Sequence, residues 1–573
     1  MAVKALLEDL FKEAFLAAGL KEMPVILEGA KNPQFGDYQV NGAMSAAKKL
    51  KCNPQELAKN IIRHLPENNL IDTAGVAGPG VINLKLTDAF LGQNLATIYP
   101  QGQLQLPELL KGQIVIIDYS SPNLAKEMHV GHLRSTLIGD SLHRLYEGLG
   151  AKVIAQNHVG DWGTQFGMLI AYLDEIEEKN TLLLKDLEHF YRQAKKRFDE
   201  DPSFAEKARQ FVVRLHEGNK AVLSKWQEFV FLSVEHIDKL YRRLNVRLQK
   251  KDIKGESSYR HQLASIVANL LAKKIAVQEN GTVLVYLNTV LPDKNIQDEV
   301  WIIQKKGGGF LYATTDLAAL KENVESLAPT RLLYVVDSRQ SLHFKALFAV
   351  SSAAGWLSEK IKAEHVAFGT MMDEEGRPFK TREGGTVKLV DLLEEAVIRA
   401  KTVLQEKNSH LSEEELTYFA EIVGIAAVKY ADLSRNRLSD YIFNLDAMLS
   451  LEGNTAPYLL YAYVRIQSLL RKAAKERTGV KGKIVITGEE RSLALLLNQF
   501  EEILLQVVKD NKPHYLANYL YALSTEFSRF YEHSTVLNAI EEKRDSRLAL
   551  AALTGEILKK GLNFLGIDVL QRM

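Results

Sequence analysis

Between Lys111 and about residue 390, short continuous apolar runs alternate with longer stretches whose apolar residues recur at every third or fourth position. "IVIIDY" (114–119) and "KVIAQNHV" (152–159) read as strands, and Leu133, Leu137, Leu142, Leu145 and Leu149 mark one apolar face of a helix between them. That is a β-α-β unit, the building block of a parallel α/β sheet. A charged helical stretch from about 170 to 275 interrupts the sheet, and strands return at "TVLVYL", "WIIQKK", "FLYAT", "RLLYVVD" and "HVAFG". "KKGGGF" lies between two of these runs and reads as a hairpin turn.

On either side the pattern changes. Residues 1–88 open with an amphipathic helix, pass through the turn-rich "EGAKNPQFGDYQV" and end in the strand-like "GVINLKL", as a small α+β domain would. Residues 89–110 read as a connector, 111–390 as the sheet domain with its insertion, 391–450 as a helical stem and 451–573 as a helical bundle. Beyond Val390 no further strand is expected.

Charge and cysteine content narrow the function classes. Lys and Arg number 72 against 71 Asp and Glu, so any surface for nucleic acid must be local. The single cysteine, Cys52, excludes a disulfide framework and any multi-thiolate metal site, and points to a reducing compartment. Acidic residues interrupt the first helix, which a secretory or transit peptide would not tolerate. No apolar run approaches membrane-spanning length, so a cytoplasmic protein with no membrane partner and no structural metal is expected.

The chemistry concentrates where the first strand hands over to its helix, at "SSPNLAKEMHVGHLRST" (120–136). Ligands of open α/β sheets bind beyond the carboxyl ends of the strands, where the next helix offers unpaired N–H groups and a positive dipole end. The chain carries neither a G-x-x-x-x-G-K-[ST] loop nor a glycine-rich dinucleotide fingerprint after a strand. Instead His129 and His132 flank Gly131, two imidazoles that can project on one side with a residue between them that lets a flat base approach the backbone.

"HVGH" here resembles the His-x-Gly-His signature of class I aminoacyl-tRNA synthetases, and "SSPNLAKEMHVGHLRSTLIGD" resembles the arginyl-tRNA synthetase version. The ordered set "NHVGDWGTQFG" (157–167), "LYATTDLA" (311–318), "RPFKTREGGTVKL" (377–389) and "EGNTAPYLLYAYVRI" (452–466) extends the likeness over nearly the whole chain. It implies a multidomain α/β enzyme with a Rossmann-type catalytic domain, a small N-terminal α+β domain contacting the tRNA D-loop and an all-α anticodon-binding bundle. The implied reaction joins L-arginine to tRNA(Arg) at the expense of ATP with Mg2+, through an arginyl-adenylate, in a chain expected to be monomeric.

The resemblance also implies roles. His129 and His132 would bind ATP and steady charge at phosphorus, with Gly131 beneath the adenine and Trp162 and Gln165 near the ligand. The mobile basic loop of class I enzymes corresponds to "PFKTREGG", which offers Lys380 and Arg382 but no clear second lysine. Lys126 would supply that charge from the opposite side, and which basic residue touches pyrophosphate stays open. Asp118, Asn123, Tyr312, Asp316 and Gln340 would contact arginine, whose planar guanidinium needs carboxylates placed to accept a fork of hydrogen bonds. Asp337 has no place in that pattern. For RNA, Phe35, Tyr38 and Gln39 in a turn could stack on and read an unpaired base, and Tyr458, Tyr461 and Arg465 suggest an anticodon surface. A nucleotidyltransferase with the same histidine signature would leave both terminal domains without a role. A non-enzymatic RNA-binding relative would have no need of the intact histidines and acidic residues.

Overall fold

A computed structural model of the chain describes residues 2–30, 32–176, 187–291, 299–379, 387–407, 410–475 and 484–572. It divides into two compact units, Met1–Pro107 with Leu451–Asn563 and Asp568–Met573, and Glu108–Ser450 with Phe564–Ile567.

The first unit contains an antiparallel sheet in the order β1-β2-β4-β3, built from β1 (Leu27–Gly29), β2 (Tyr38–Val40), β3 (Ile71–Ala77) and β4 (Val81–Leu86). Helix α1 (Val3–Ala17) buries Val3, Leu7, Phe11, Ala14 and Phe15, its i, i+4 stripe. Helices α2 (Gly42–Leu50) and α3 (Pro54–Arg63) follow, the latter N-capped by Asn53, whose side chain accepts from Gln55 and Glu56 N–H. The stretch expected as a connector carries α4 (Asp88–Ile98), with Phe90, Leu91 and Leu95 buried. The bundle comprises α16 (Ala456–Lys475), α17 (Arg491–Asn498), α18 (Phe500–Asp510), α19 (His514–His533) and α20 (Glu541–Phe564). It is fastened to the sheet by Arg491, whose two terminal nitrogens donate to Asp37 at 2.9 and 2.7 Å and whose Nε donates to Asp88 at 2.8 Å.

The second unit is built on a parallel sheet in the order β12-β11-β5-β6-β7, with β5 (Ile114–Asp118), β6 (Lys152–Val159), β7 (Ile253–Gly255), β11 (Arg331–Tyr334) and β12 (Lys362–His365). From β5, β6 and β7 run outward to one side, and β11 and β12 then run outward to the other. The order therefore reverses beside β5, the position at which such sheets open a ligand crevice. Helix α5 (Leu133–Gly148) approaches that strand closely, since a Cβ on Gly139 would lie 2.3 Å from Tyr119. Helices α6 (Thr164–Glu175), α7 (Leu187–Glu200), α8 (Pro202–His216) and α9 (Lys220–Arg243) form the insertion, and α10 (Arg260–Ala272) follows β7. Ile116, Leu332 and Tyr334 share a buried core with Leu263, Leu320 and Leu347, which lie on α10, α11 (Tyr312–Leu327) and α12 (Ser341–Ala353). The stem is α13 (Leu389–Lys407), α14 (Glu413–Leu433) and the short α15 (Leu445–Met448).

Three expectations about strands need correction. "TVLVYL" and "WIIQKK" do not join the parallel sheet; β9 (Thr282–Tyr286) pairs antiparallel with β8 (Val277–Glu279) and β10 (Val300–Gln304). "FLYAT" is not a strand: Phe310 makes one antiparallel bridge to Gln304 and the chain turns helical at Tyr312, so the Lys305–Gly309 turn leads into α11 rather than a further strand. A short apolar run fits either period, and the helical spacing of Ala313, Leu317 and Leu320 decides. Strands also continue past Val390, because β13 (Met371–Met372) pairs in parallel with β14 (Tyr441–Ile442).

Candidate active site

The site begins with backbone strain. Beyond Asp118, Ser120 and Ser121 take φ of 77° and 47°, left-handed values that side-chain-bearing residues adopt at a cost. Hydrogen bonds from every side hold them there. Ser120 N–H donates to Ser135 Oγ at 2.9 Å, Tyr241 Oη donates to Ser120 Oγ at 2.6 Å, and Ser121 N–H donates to Asn157 Oδ1 at 2.9 Å. The turn carries the chain through Asn123, which bridges to Gly160 beyond β6 and accepts Ala125 N–H on its own Oδ1 at 3.0 Å.

Backbone N–H groups of the turn then lock the tautomers of His129 and His132. His129 N–H donates to His132 Nδ1, and Gly131 N–H donates to His129 Nδ1, both at 3.1 Å. A neutral imidazole that accepts on Nδ1 keeps its proton on Nε2. Burial, then repulsion from His129, lowers the His132 pKa to about 3; burial, then the Lys126 charge, lowers that of His129. Near neutral pH both rings are uncharged Nε2–H donors at the start of α5. Gly131 is required here, because a Cβ would come within 2.8 Å of the His129 ring. A cavity of about 180 Å³ opens in front, lined by His129, Gly131, Arg134, Phe368, Gly369 and Phe379. Behind the histidines, Val130 N–H donates to Val387 O at 3.1 Å and Leu389 N–H to Met128 O at 3.0 Å. The far end of the basic loop is thus paired with the histidine turn. Lys380 and Arg382 lie outside the described residues. The Lys126 ammonium sits 4.7 Å above the Tyr191 ring.

Beside this cavity lies an acidic cluster. Asp118 Oδ2 is 2.9 Å from His158 Nδ1, and His158 Nε2 is 2.7 Å from Tyr259 Oη. Asp316 Oδ2 is 2.7 Å from His343 Nε2, while Trp301 Nε1 donates to His343 Nδ1 at 3.3 Å, which leaves the His343 proton on the nitrogen facing Asp316. Tyr312 is 58% exposed with its ring 5.0 Å from that of His343, and Gln340, also exposed, lies three residues earlier. The charges of Asp118 and Asp316 act together on His158, Tyr259 and Tyr334. Burial pulls the His158 pKa down, but the Asp118 charge and hydrogen bond, with Asp316 behind them, outweigh it and leave the pKa raised. Glu256 is pushed up to about 7 by burial first and by repulsion from Asp316 and Asp161 second. His158, Glu256, Tyr259 and His343 escaped the sequence reading. Only His158 carried a signal, as the histidine near the end of the second strand.

The remaining residues divide. Trp162 meets Trp226 edge-on at 5.6 Å beneath the Arg260 guanidinium, and Gln165, in the first turn of α6, keeps a buried Oε1 with no hydrogen-bond partner among the described residues. Asp337 is taken up by a fork from Arg339, at 2.9 and 2.8 Å. In the other unit, Tyr38 must be corrected. It lies in β2 rather than in a turn, is fully buried, and donates to Glu502 Oε2 at 3.1 Å, so it has no free face for a base. Gln39 is also in β2, its amide donating to Asn83 at 2.9 Å, whereas Phe35 is exposed in the turn Pro33–Phe35. Tyr458 packs edge-on against Tyr521, while Tyr461 is exposed beneath the Arg465 guanidinium at 5.2 Å.

Comparison with known proteins agrees with this layout. Residues 94–445 match the family model described as tRNA synthetases class I (R), catalytic domain; residues 459–573 match the DALR anticodon binding domain, and 2–86 the arginyl tRNA synthetase N terminal domain. The arginine–tRNA ligases of Laribacter hongkongensis and Cellvibrio japonicus are 49% and 48% identical over the full length of both chains. Among solved structures, the arginyl-tRNA synthetase of Plasmodium falciparum aligns with a TM-score of 0.87 at 30% identity, covering all of this chain and 99% of its own. That of Thermus thermophilus aligns with 0.86 at 25%, covering both chains in full. Matched by family models over its catalytic domain and both flanking domains, and by relatives along its entire length, the chain belongs to the class I arginyl-tRNA synthetase family.

Proposed function

We propose that the chain ligates L-arginine to tRNA(Arg) with ATP and that the two neighbouring pockets divide the first step between them. The arginine carboxylate attacks the α-phosphorus of ATP, an O–P bond forms, the bond to pyrophosphate breaks, and arginyl-adenylate remains. A tRNA terminal hydroxyl then attacks the activated carbonyl and AMP leaves. A carboxylate is already ionised, so the first step needs no general base; catalysis rests on placement and on stabilising charge at phosphorus.

His129 and His132 supply preformed neutral N–H donors for the phosphate, and Gly131 lets the adenine approach the backbone. Lys126, Lys380 and Arg382 supply the positive charge for pyrophosphate. Magnesium would arrive on the triphosphate, whose oxygens supply much of its coordination; among the described residues no three His, Cys, Asp or Glu side chains cluster as metal ligands. Asp118 and Asp316 would hold the guanidinium, Tyr312 would cover it, and Asn123 and Gln340 would take the α-amino and carboxylate end. Trp162 and Gln165 would border the ligand, and Glu256 adds a third carboxyl group. Phe35, Gln39, Tyr458, Tyr461 and Arg465 are the proposed tRNA contacts, on the N-terminal D-loop domain and the C-terminal anticodon domain. The chain would act as a monomer in the cytoplasm, and no helix among the described residues is long and apolar enough to cross a membrane.

The observation that carries this reading is the pair of tautomer-locked neutral histidines next to a cluster of carboxylates, an anion site beside a cation site. ATP–pyrophosphate exchange across the twenty amino acids, with and without tRNA(Arg), tests it. Arginine alone should support exchange, and equal exchange with several amino acids would refute it.

A further inference from the structure

We propose that Arg134 is a positioning residue for the nucleotide, acting through the wall segment Ala367–Met372; this rests on reading the histidine cavity as the ATP site. Phe368 to Met371 line that cavity opposite His129 and Gly131. On one side the wall is held by Ser338 N–H, which donates to Phe368 O at 2.9 Å. On the other it leans on the stem segment 435–443. Gly369 N–H donates to Arg437 O at 2.8 Å, Tyr441 N–H to Thr370 O at 3.1 Å, and Phe443 N–H to Met372 O at 2.9 Å. Thr370 N–H donates to Asp440 Oδ1 at 2.6 Å, and the Arg437 guanidinium donates to Ala367 O. The approach is so close that a Cβ on Gly369 would lie 2.6 Å from Asp440 Oδ1 and 2.8 Å from Ser439 C.

Arg134 ties this assembly to the histidines. It stands two residues after His132, in the first turn of α5, and is 2% exposed. Its Nε donates to Asp432 Oδ2 at 3.0 Å and its Nη1 to Ser439 O at 3.1 Å. Its guanidinium carbon lies 5.8 Å from the Phe368 ring centroid and 5.1 Å from that of Tyr441. One planar cation therefore joins the histidine helix, the cavity wall and the stem segment. An ammonium on a flexible stem could keep the charge pairing but not the second donor or the flat stack. None of these contacts reaches Asp118, Asp316 or His343. Loosening Arg134 should displace the nucleotide wall from the histidines and leave the arginine pocket alone.

The test is a split between the two substrates, with cooperative melting as the check on folding. Arg134→Lys should raise KM for ATP about tenfold while KM for arginine moves less than about twofold. Asp440 is exposed, and its replacement keeps the test available if Arg134→Lys does not fold. Asp440→Ala should move KM for ATP in the same direction by less, and Asp440→Asn should restore it, because the amide oxygen still accepts Thr370 N–H. A parallel rise in both Michaelis constants, or no change in that for ATP, would overturn the proposal. His132→Ala measured alongside separates the two readings. If it too leaves ATP use intact, the cavity is not the ATP site; if it impairs ATP use while the Arg134 and Asp440 variants do not, only the positioning role fails.

Discussion

The histidine cavity and the acidic cluster flank the same strand end, yet they treat protons in opposite ways. On the phosphate side, His129 and His132 accept backbone N–H bonds and are held neutral, with pKa values displaced downward from 6.5. Their donors are fixed whatever the pH does near neutrality. On the arginine side, His158 is raised by Asp118 after burial has pulled the other way, and Glu256 sits at about 7. Glu256 therefore changes charge in the working range, and His158 is shifted toward its charged form. The difference follows from the ligands, since a phosphate group needs rigid donors, whereas a guanidinium needs carboxylates, whose negative charge raises the pKa of His158 and Glu256 beside them.

The largest expected effect tests the phosphate side. His132→Ala should lower the arginine-dependent exchange rate about a hundredfold, the scale for losing one preorganised donor. A variant with unchanged turnover would remove the histidines from the account. Next comes the arginine side. Asp316→Asn should cost about tenfold or more in kcat/KM for arginine, since a charged hydrogen bond to a bound guanidinium is worth upwards of about 1.4 kcal/mol, with KM for ATP unaltered. Lysine should be a poor competitor in the unaltered enzyme, because an ammonium cannot span acceptors set for a planar fork. If the Asp316 variant shifts ATP instead, the two pockets are wrongly assigned. The smallest effect lies in the other unit. Tyr461→Ala should raise KM for tRNA(Arg) about fivefold by removing an exposed stacking face, and Tyr38→Phe should not, because Tyr38 is buried against Glu502. Tight-binding Tyr461→Ala enzyme would move the anticodon surface elsewhere.

How much of this was legible in sequence depended on the range of the contacts. β5, α5 and β6 were readable because a strand of a parallel sheet is buried on both faces and shows as a continuous apolar run. The histidine turn followed from its place after that run. "FLYAT" was misread because four or five apolar residues at a boundary fit a strand and a helix equally. Tyr38 was misread because β2 is only three residues long and its neighbours Gly36 and Asp37 look like a turn. The site was half legible. Asp118 and Asp316 stand at a strand end and a helix start, where the resemblance could place them, but their partners His158 and His343 come from other elements. Nothing local marks a histidine on α12 as the partner of a carboxylate on α11. The 435–443 segment was invisible for the same reason, since it meets Phe368 and Arg134 only after the chain has folded.

The most direct test of the two-pocket account is the pH dependence of binding to the intact enzyme, measured calorimetrically for arginine and for a non-hydrolysable ATP analogue. As pH rises from about 6.5 to about 8.5, Glu256, with its pKa pushed up to about 7, gains a negative charge that favours a bound guanidinium, and any loss of positive charge from His158, whose pKa is raised above 6.5, acts in the same sense. The arginine dissociation constant should fall severalfold across that interval, and the analogue's should change far less, because His132, its pKa lowered to about 3, is neutral throughout and His129 is shifted the same way. Arginine affinity that stays flat or weakens with rising pH, or nucleotide affinity that falls as steeply as arginine affinity climbs, would contradict the account.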